Sequence, residues 1–152
     1  MSSLRSLPLR ERARRNAAVP GHLNAAKRGD EHAFMVLYAL RAEQAGLCAA
    51  LGLPEHEVGP TLVQVFREVW HSLPRCDATR AVEFDAWLLE ILCASVCARR
   101  GDEVSARFGW MSGVWELPAA LRNVILLREV FGHPLGDVSS ALGDSESTVQ
   151  LW

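Results

Sequence analysis

Residues 117–152 read LPAALRNVILLREVFGHPLGDVSSALGDSESTVQLW, and this stretch decides the fold. Apolar residues recur at helical spacing through its first part, which predicts a helix with one wide buried stripe. Gly132 ends that helix, and Pro134 fits the first turn of a second, shorter helix. A turn at Gly143 and Asp144 then leads to a third helix. The pattern therefore predicts three short helices joined by tight turns, which is a helix-turn-helix arrangement.

The third of these helices carries polar side chains where a helix-turn-helix protein contacts base edges and phosphates. We expect five residues to face DNA: Ser145, which also caps the helix, Glu146, Ser147, Thr148 and Gln150. The seven residues from Glu146 to Trp152 make roughly 10 Å of this helix at 1.5 Å per residue. We expect so short a helix to read DNA weakly.

The composition is that of an ordinary soluble globular protein. The 152 residues are 49% hydrophobic and 22% charged, which suffices for one domain or two small ones. No apolar run approaches the roughly 20 residues that cross a bilayer, and residues 1–15 lack the apolar core of a secretion signal. The four cysteines do not resemble a disulfide framework. We expect a cytoplasmic protein with no membrane insertion.

The net charge of −2 conceals an uneven distribution. Residues 1–28 hold seven Lys or Arg against one Glu, whereas residues 29–152 hold nine against seventeen acids, a difference of −8. Because basic side chains supply most non-specific DNA affinity, an acidic body disfavours DNA binding. The cations near the N-terminus are suited to a nucleic-acid backbone, although a terminal charge run is more often a solvated arm. They are Arg10, Arg12, Arg14 and Arg15.

Three longer amphipathic patterns precede residues 117–152. They predict a helix that starts near Asp30, a second helix over 60–73 and a third over 83–100. Residues 74–82 read as a polar loop between the second helix and the third. No strand pattern occurs, so we predict an all-α protein.

The chain divides into four parts on these patterns. They are a basic arm (1–24), a helical domain (25–100), a linker (101–116) and the helix-turn-helix domain (117–152). The linker is glycine-spaced, and we expect its Trp110 and Trp115 to pack on a neighbouring element.

No pattern supports an enzyme or a metal site. The chain lacks a glycine-rich phosphate loop, a nucleophile elbow and a paired-carboxylate motif. Cys93 and Cys97 share a helix face, but zinc ligands usually form two close-spaced pairs, and free cysteine is among the most buried residue types. The five histidines are scattered. We expect no catalytic residue, no metal, no cofactor and no small-molecule substrate.

Four segments of the chain occur in an order that is typical of one protein family. They are AAKRGDEHAFMVLY (25–38), VFREVWHSLPRCD (65–77), FDAWLLEI (84–91) and LPAALRNVILLREVFGHPLGDVSSALGDSESTV (117–149). From about Ala25 to Trp152 the chain resembles the extracytoplasmic-function (ECF) sigma factors, the smallest promoter-specificity subunits of bacterial RNA polymerase. The resemblance implies two small helical domains, a region 2-like bundle and a region 4-like helix-turn-helix.

The resemblance also implies partners and site residues. Core RNA polymerase, promoter DNA and an anti-sigma factor are the expected partners. The polymerase contact would be made by Gln64, Phe66, Arg67 and Trp70. The promoter contacts in the first domain would be made by Arg75, Arg80, Arg99 and Arg100. The loop that holds Arg75 and Arg80 matches the family segment that binds a flipped promoter base, or it is an ordinary connection.

Several polar family positions are replaced in this chain. They are Val63, Glu90, Ala94, Ala98 and Gln150, where the family carries residues that meet polymerase or DNA. Two hypotheses follow: an authentic sigma factor, which we favour, or a sigma-like regulator that acts by protein binding with weak or no promoter binding. A weaker third is a free-standing repressor, for which a two-fold dimer and palindromic sites are expected.

Overall fold

The computed structural model of the protein describes residues 8–100 and 113–143. Within these ranges the chain is helical and contains no strand, which confirms the all-α prediction. The helices are α1 (Leu9–Lys27), α2 (Glu31–Ala50), α3 (Glu55–Ser72), α4 (Ala81–Arg99), α5 (Ala119–Ile125) and α6 (Leu135–Leu142). A short 3-10 turn (Leu73–Arg75) follows α3, and a π-helical turn (Leu126–Val130) continues α5.

The N-terminal segment differs from the solvated arm that the charge run predicts. Its described part is the helix α1, which continues past residue 24 and packs along α2. Val19, Leu23 and Ala26 are buried on one side of α1. These three residues recur at helical spacing, but they form only a narrow apolar stripe. The many arginines nearby make the segment resemble a solvated arm in the sequence.

The helix predicted to start near Asp30 is confirmed. Asp30 caps α2, because its side chain accepts a hydrogen bond from the backbone N–H of Ala33 (3.0 Å). Gly29 precedes it with a φ of +94°, a backbone conformation that favours glycine and separates α2 from α1.

The second predicted helix begins earlier than its pattern indicates. α3 starts at Glu55, and Pro54, not Pro60, takes the flanking position before the first turn. Pro60 lies inside α3, where it removes one backbone donor without ending the helix. The third predicted helix agrees with α4 to within two residues at its start.

The four long helices form a bundle, and the C-terminal helices pack against it. We call residues 8–100 the N-terminal bundle and residues 113–143 the C-terminal unit. The π-helical turn packs on α2 and α4, and α6 packs on α4. Gly132 (φ +75°) and Gly143 (φ +76°) make the tight turns that the sequence predicts. The third helix of the predicted helix-turn-helix lies outside the described residues.

Candidate functional site

The expected polymerase-binding face lies on α3. Gln64 and Arg67 are exposed, and Trp70 is half-buried with its ring centroid 4.9 Å from that of Phe34. Phe66 is only 5% exposed and meets the Tyr38 ring edge-on at 4.9 Å. Phe66 therefore supports this face from the core side. The side chains of the face that are open to a partner are Gln64, Arg67 and, in part, Trp70.

The loop expected to contact the promoter leads into α4. The Glu83 carboxylate accepts hydrogen bonds from the Arg80 backbone N–H (3.0 Å) and the Thr79 hydroxyl (3.1 Å), and it pairs with the Arg80 side chain (3.2 Å). The Arg80 backbone hydrogen bond is the main cause that lowers the pKa of Glu83 below its ordinary value. These contacts fix the end of the loop as the start of α4.

Three of the four arginines expected at DNA in the N-terminal bundle bind other parts of the chain. Arg80 donates to the Ser140 hydroxyl on α6 (3.2 Å), and Arg99 donates to the Gln64 side chain (2.7 Å). Arg100 donates to the Trp115 carbonyl (3.0 Å) and pairs with Glu116. The fourth, Arg75, is exposed at the end of the 3-10 turn.

The arginines of α1 differ in what they contact: some lie at the protein surface, and one binds the C-terminal unit. Arg14 is exposed, whereas Arg15 pairs with Glu11 (3.3 Å) and Glu43 (3.8 Å). Arg12 donates to the Glu129 carbonyl (3.4 Å) in the C-terminal unit. The cationic N-terminal segment thus helps to hold the fold together.

A buried polar cluster joins the N-terminal bundle to the C-terminal unit. The Asp85 carboxylate on α4 is fully buried, and its two oxygens face different partners. Oδ1 accepts from Arg41 Nε (2.6 Å), and Oδ2 lies 2.5 Å from His133 Nε2. Arg41 is 1% exposed and His133 is 5% exposed, so both pairs are removed from water. Sequence reasoning missed this cluster.

Two further residues complete the cluster. Arg41 Nη2 donates to the Asn16 side-chain oxygen (2.8 Å), and Asn16 in turn donates to the Phe131 carbonyl (3.3 Å). The Arg41 guanidinium also lies over the Phe131 ring, 5.9 Å from its centroid. We call Asn16, Arg41, Asp85, Phe131 and His133 the polar junction. In this cluster the buried charges of Arg41 and Asp85 find partners on α1, α2 and α4 and in the turn that precedes α6.

Trp115 provides a second attachment of the C-terminal unit. Its indole N–H donates to the Cys48 carbonyl at the end of α2 (3.1 Å), which confirms that Trp115 packs on a neighbour. A Cβ at Gly52 would lie 2.8 Å from the indole, so glycine leaves the space for the ring. The Arg122 guanidinium lies over the ring, 4.8 Å from its centroid. The expected role of Trp110 falls outside the described residues.

The cysteines do not form a common site. Cys48, Cys76 and Cys93 are buried, and Cys97 is exposed. Burial raises the pKa of the Cys48, Cys76 and Cys93 thiols, which keeps them protonated and weakly reactive. Among the residues that the structure describes, no group of three or more His, Cys, Asp or Glu side chains is placed to hold a metal ion.

Part of the expected DNA site falls beyond the described ranges. Ser145, Glu146, Ser147, Thr148 and Gln150 all lie there, so their role stays a prediction. In residues 8–100 and 113–143, no helix has the length and apolar character needed to cross a membrane.

The chain has a likeness among solved structures. No protein-family model matches the chain, and no curated protein does either. Among solved structures, the chain is similar to CnrH, in a structure of CnrH in complex with the cytosolic domain of CnrY. The two chains are 26% identical, the TM-score is 0.67, and the match covers 88% of each chain. The likeness supports a sigma-factor-like protein with an all-helical, region 2-like and region 4-like fold.

Proposed function

We propose that this protein is an ECF-type sigma factor that binds core RNA polymerase in the cytoplasm and directs promoter recognition. The single observation that carries the proposal is the likeness to CnrH over 88% of both chains, which spans both helical parts. The ordered sequence resemblance to the ECF family supports the same reading. The proposal assigns the protein no chemistry of its own.

The polymerase contact in this proposal is made by the exposed face of α3. Gln64, Arg67 and the half-buried Trp70 lie on this face, and Phe66 and Tyr38 support it from beneath. Val63 is 61% exposed on the same helix and adds an apolar contact. Arg and Trp are enriched among the residues that contribute most to binding at protein interfaces.

The promoter contact is made by the loop before α4 and by the helix expected after Gly143. Arg75 and Arg80 supply cations at the loop, and residues 145–150 supply polar side chains in the second DNA-reading element. Cations at a loop suit the phosphate backbone of a single strand, and a flipped base needs polar side chains that hydrogen-bond to its edge.

An anti-sigma protein is the third partner that we propose. CnrH is bound to the cytosolic domain of CnrY. We propose by analogy that this chain binds the cytosolic domain of a regulatory protein, which competes with polymerase.

Reconstitution with core RNA polymerase tests the proposal. Purified full-length protein is expected to comigrate with core polymerase and to start transcripts from a subset of promoters in a genomic library. Arg67→Glu on α3 should weaken polymerase binding, whereas Arg14→Glu on the exposed side of α1 should leave it unchanged. If the protein neither binds core polymerase nor starts a transcript, the proposal fails.

A sigma-like regulator without promoter activity is the second candidate. It is favoured by the engagement of Arg80, Arg99 and Arg100 inside the chain, together with the exposed Glu90 on α4. Each phosphate contact that is missing lowers affinity for every DNA sequence. Polymerase or anti-sigma binding without salt-sensitive, sequence-dependent DNA binding would favour this candidate. A two-fold dimer on palindromic DNA would instead indicate a free-standing repressor.

A further inference from the structure

The loop before α4, residues 75–80, presents its side chains in two opposite directions. Cys76 and Ala78 are only 6% and 7% exposed, whereas Arg75, Asp77 and Thr79 are exposed. The backbone of Cys76 is extended, with φ −75° and ψ 124°, and successive side chains of an extended backbone point to opposite sides. Two small side chains therefore hold the loop to the bundle, and three polar ones face outward.

Lys27 joins this loop to α1. It is the last residue of α1, and its ammonium donates a hydrogen bond to the Ala78 carbonyl. The side chain is half-buried, and within the described ranges no carboxylate pairs with it. Since its partner is a main-chain carbonyl, the hydrogen bond fixes the backbone of the loop. α1 also packs on the 3-10 turn that leads into the loop.

Glu83 holds the other end of the same loop. Its carboxylate accepts hydrogen bonds from the Thr79 hydroxyl and from the Arg80 backbone N–H. Lys27 and Glu83 thus attach three consecutive loop residues to two different helices. Loops are ordinarily the more mobile parts of a protein, so attachments this close together restrict the loop to few conformations.

A restricted loop favours the proposed contact with unpaired DNA. The apparent affinity of a site falls in proportion to the fraction of molecules in the binding-competent conformation. A loop that is already ordered also avoids the entropic cost of becoming ordered on binding. Because the Lys27 ammonium lies against the Ala78 carbonyl, it can act on this contact through the loop backbone without meeting a phosphate.

We infer that Lys27 is a positioning residue that holds the loop before α4 in the conformation that binds a DNA single strand. The inference rests on the proposed function and deepens it, because it gives α1 a part in promoter contact. The outward side chains Arg75, Asp77 and Thr79 meet the strand, and Lys27 sets where they lie.

Four single substitutions in the full chain test the inference. Lys27→Met keeps the length of the side chain and removes the donor, whereas Lys27→Arg keeps a donor and should restore the behaviour of the wild type. Arg75→Met removes an exposed cation that the proposed function places at the strand. Arg14→Met removes an exposed cation roughly 20 Å away along α1, at 1.5 Å per residue, and controls for loss of charge from this helix.

Order in the loop is measured by hydrogen exchange of the backbone amides of residues 76–80. Lys27→Met should raise their exchange to near the rate of an unprotected chain, because the loop loses one of its two attachments. α2 should keep its protection, since the bundle core stays intact. Lys27→Arg, Arg75→Met and Arg14→Met should match the wild type.

Binding is measured with fluorescein-labelled single-stranded DNA that the wild-type protein selects from a random pool. Lys27→Met should weaken binding by roughly fivefold, which corresponds to a competent fraction of about one fifth. The slope of log affinity against log salt should stay unchanged, since this variant removes no phosphate contact. Arg75→Met should instead reduce that slope by about 0.7, the value for one phosphate contact on a single strand.

The outcomes separate the inference from the proposed function. A disordered loop with weaker binding and an unchanged salt slope supports the inference. Unchanged loop exchange in Lys27→Met overturns it, and so does a reduced salt slope, because Lys27 would then contact a phosphate itself. Loss of protection in α2 as well, or a disordered loop that binds DNA like the wild type, also overturns it. In these cases the wild type binds the strand and the proposed function stands. If the wild type selects no strand, the promoter contact of the proposed function fails, and the inference falls with it.

Discussion

The N-terminal bundle and the C-terminal unit differ in how far each depends on contacts with the other. The bundle helices have 18 to 20 residues and bury a continuous apolar core. α5 and α6 have seven and eight residues and lie against that core. Since short helices are marginal on their own, the unit depends on its packing against the bundle, through buried apolar side chains such as Leu126, Leu127 and Val138 and through the polar contacts of Trp115 and His133. The contrast teaches that the bundle is held by the packing of its own helices, whereas the unit is held by its contacts with the bundle.

Of these changes, loss of Arg41 should lower the free energy of unfolding the most, because it removes a contact inside the bundle and a member of the polar junction together. Arg41→Leu leaves Asp85 buried without its cation, and breaking a buried pair from one side costs about 3–5 kcal/mol. Urea denaturation should show this loss in the free energy of unfolding of the whole chain. Arg67→Leu, at an exposed position on α3, should change it by about 0.5 kcal/mol or less. A similar small change for Arg41→Leu would contradict the polar junction as a structural contact.

Loss of the indole hydrogen bond should affect the C-terminal unit more than the bundle. Trp115→Phe keeps an aromatic ring beside Gly52 but removes the donor to the Cys48 carbonyl, which costs about 1–2 kcal/mol. Hydrogen exchange should rise in the unit, while α3 stays protected. Trp87→Phe is the control at a half-buried tryptophan of the bundle. Equal exchange changes for both variants would mean that Trp115 does not anchor the unit.

The smallest expected effect concerns the pH dependence of the bundle. The pKa of Glu83 is lowered in the folded protein, chiefly by the Arg80 backbone hydrogen bond. A lowered folded pKa gives stability that is present above the unfolded pKa and is lost as the pH falls through the folded pKa. Between pH 7 and pH 3, urea denaturation should therefore show a smaller loss of stability for Glu83→Gln than for the wild type. An identical loss in both proteins would contradict the role of this carboxylate at the start of α4.

The sequence predicts much of the fold because most helices carry clear signals. The Asp30 cap and the apolar stripe of the third pattern place α2 and α4 well, and Gly132 and Gly143 mark the turns of the C-terminal unit. α1 is missed because its stripe is short and lies among arginines. The start of α3 is misplaced because both Pro54 and Pro60 are compatible with a first helical turn.

The candidate site is less predictable, because its contacts join residues far apart in sequence. Arg41 and Asp85 each lie within an apolar helical pattern, and a charged residue in such a position is a signal for a buried partner. Only the packing of the helices shows that these two residues meet each other and His133. For the same reason, the sequence alone gives no sign that Arg80 and Arg100 are engaged within the chain.

A double-mutant cycle between Asp85 and His133 tests most directly whether a buried polar contact holds the two parts of the protein together. The cycle combines Asp85→Asn with His133→Leu, and the measured quantity is the free energy of opening of α6 from hydrogen exchange. We predict a coupling of about 1.5–3 kcal/mol, as for a buried hydrogen bond to a charged group. Additive effects, with a coupling below about 0.5 kcal/mol, would contradict the account.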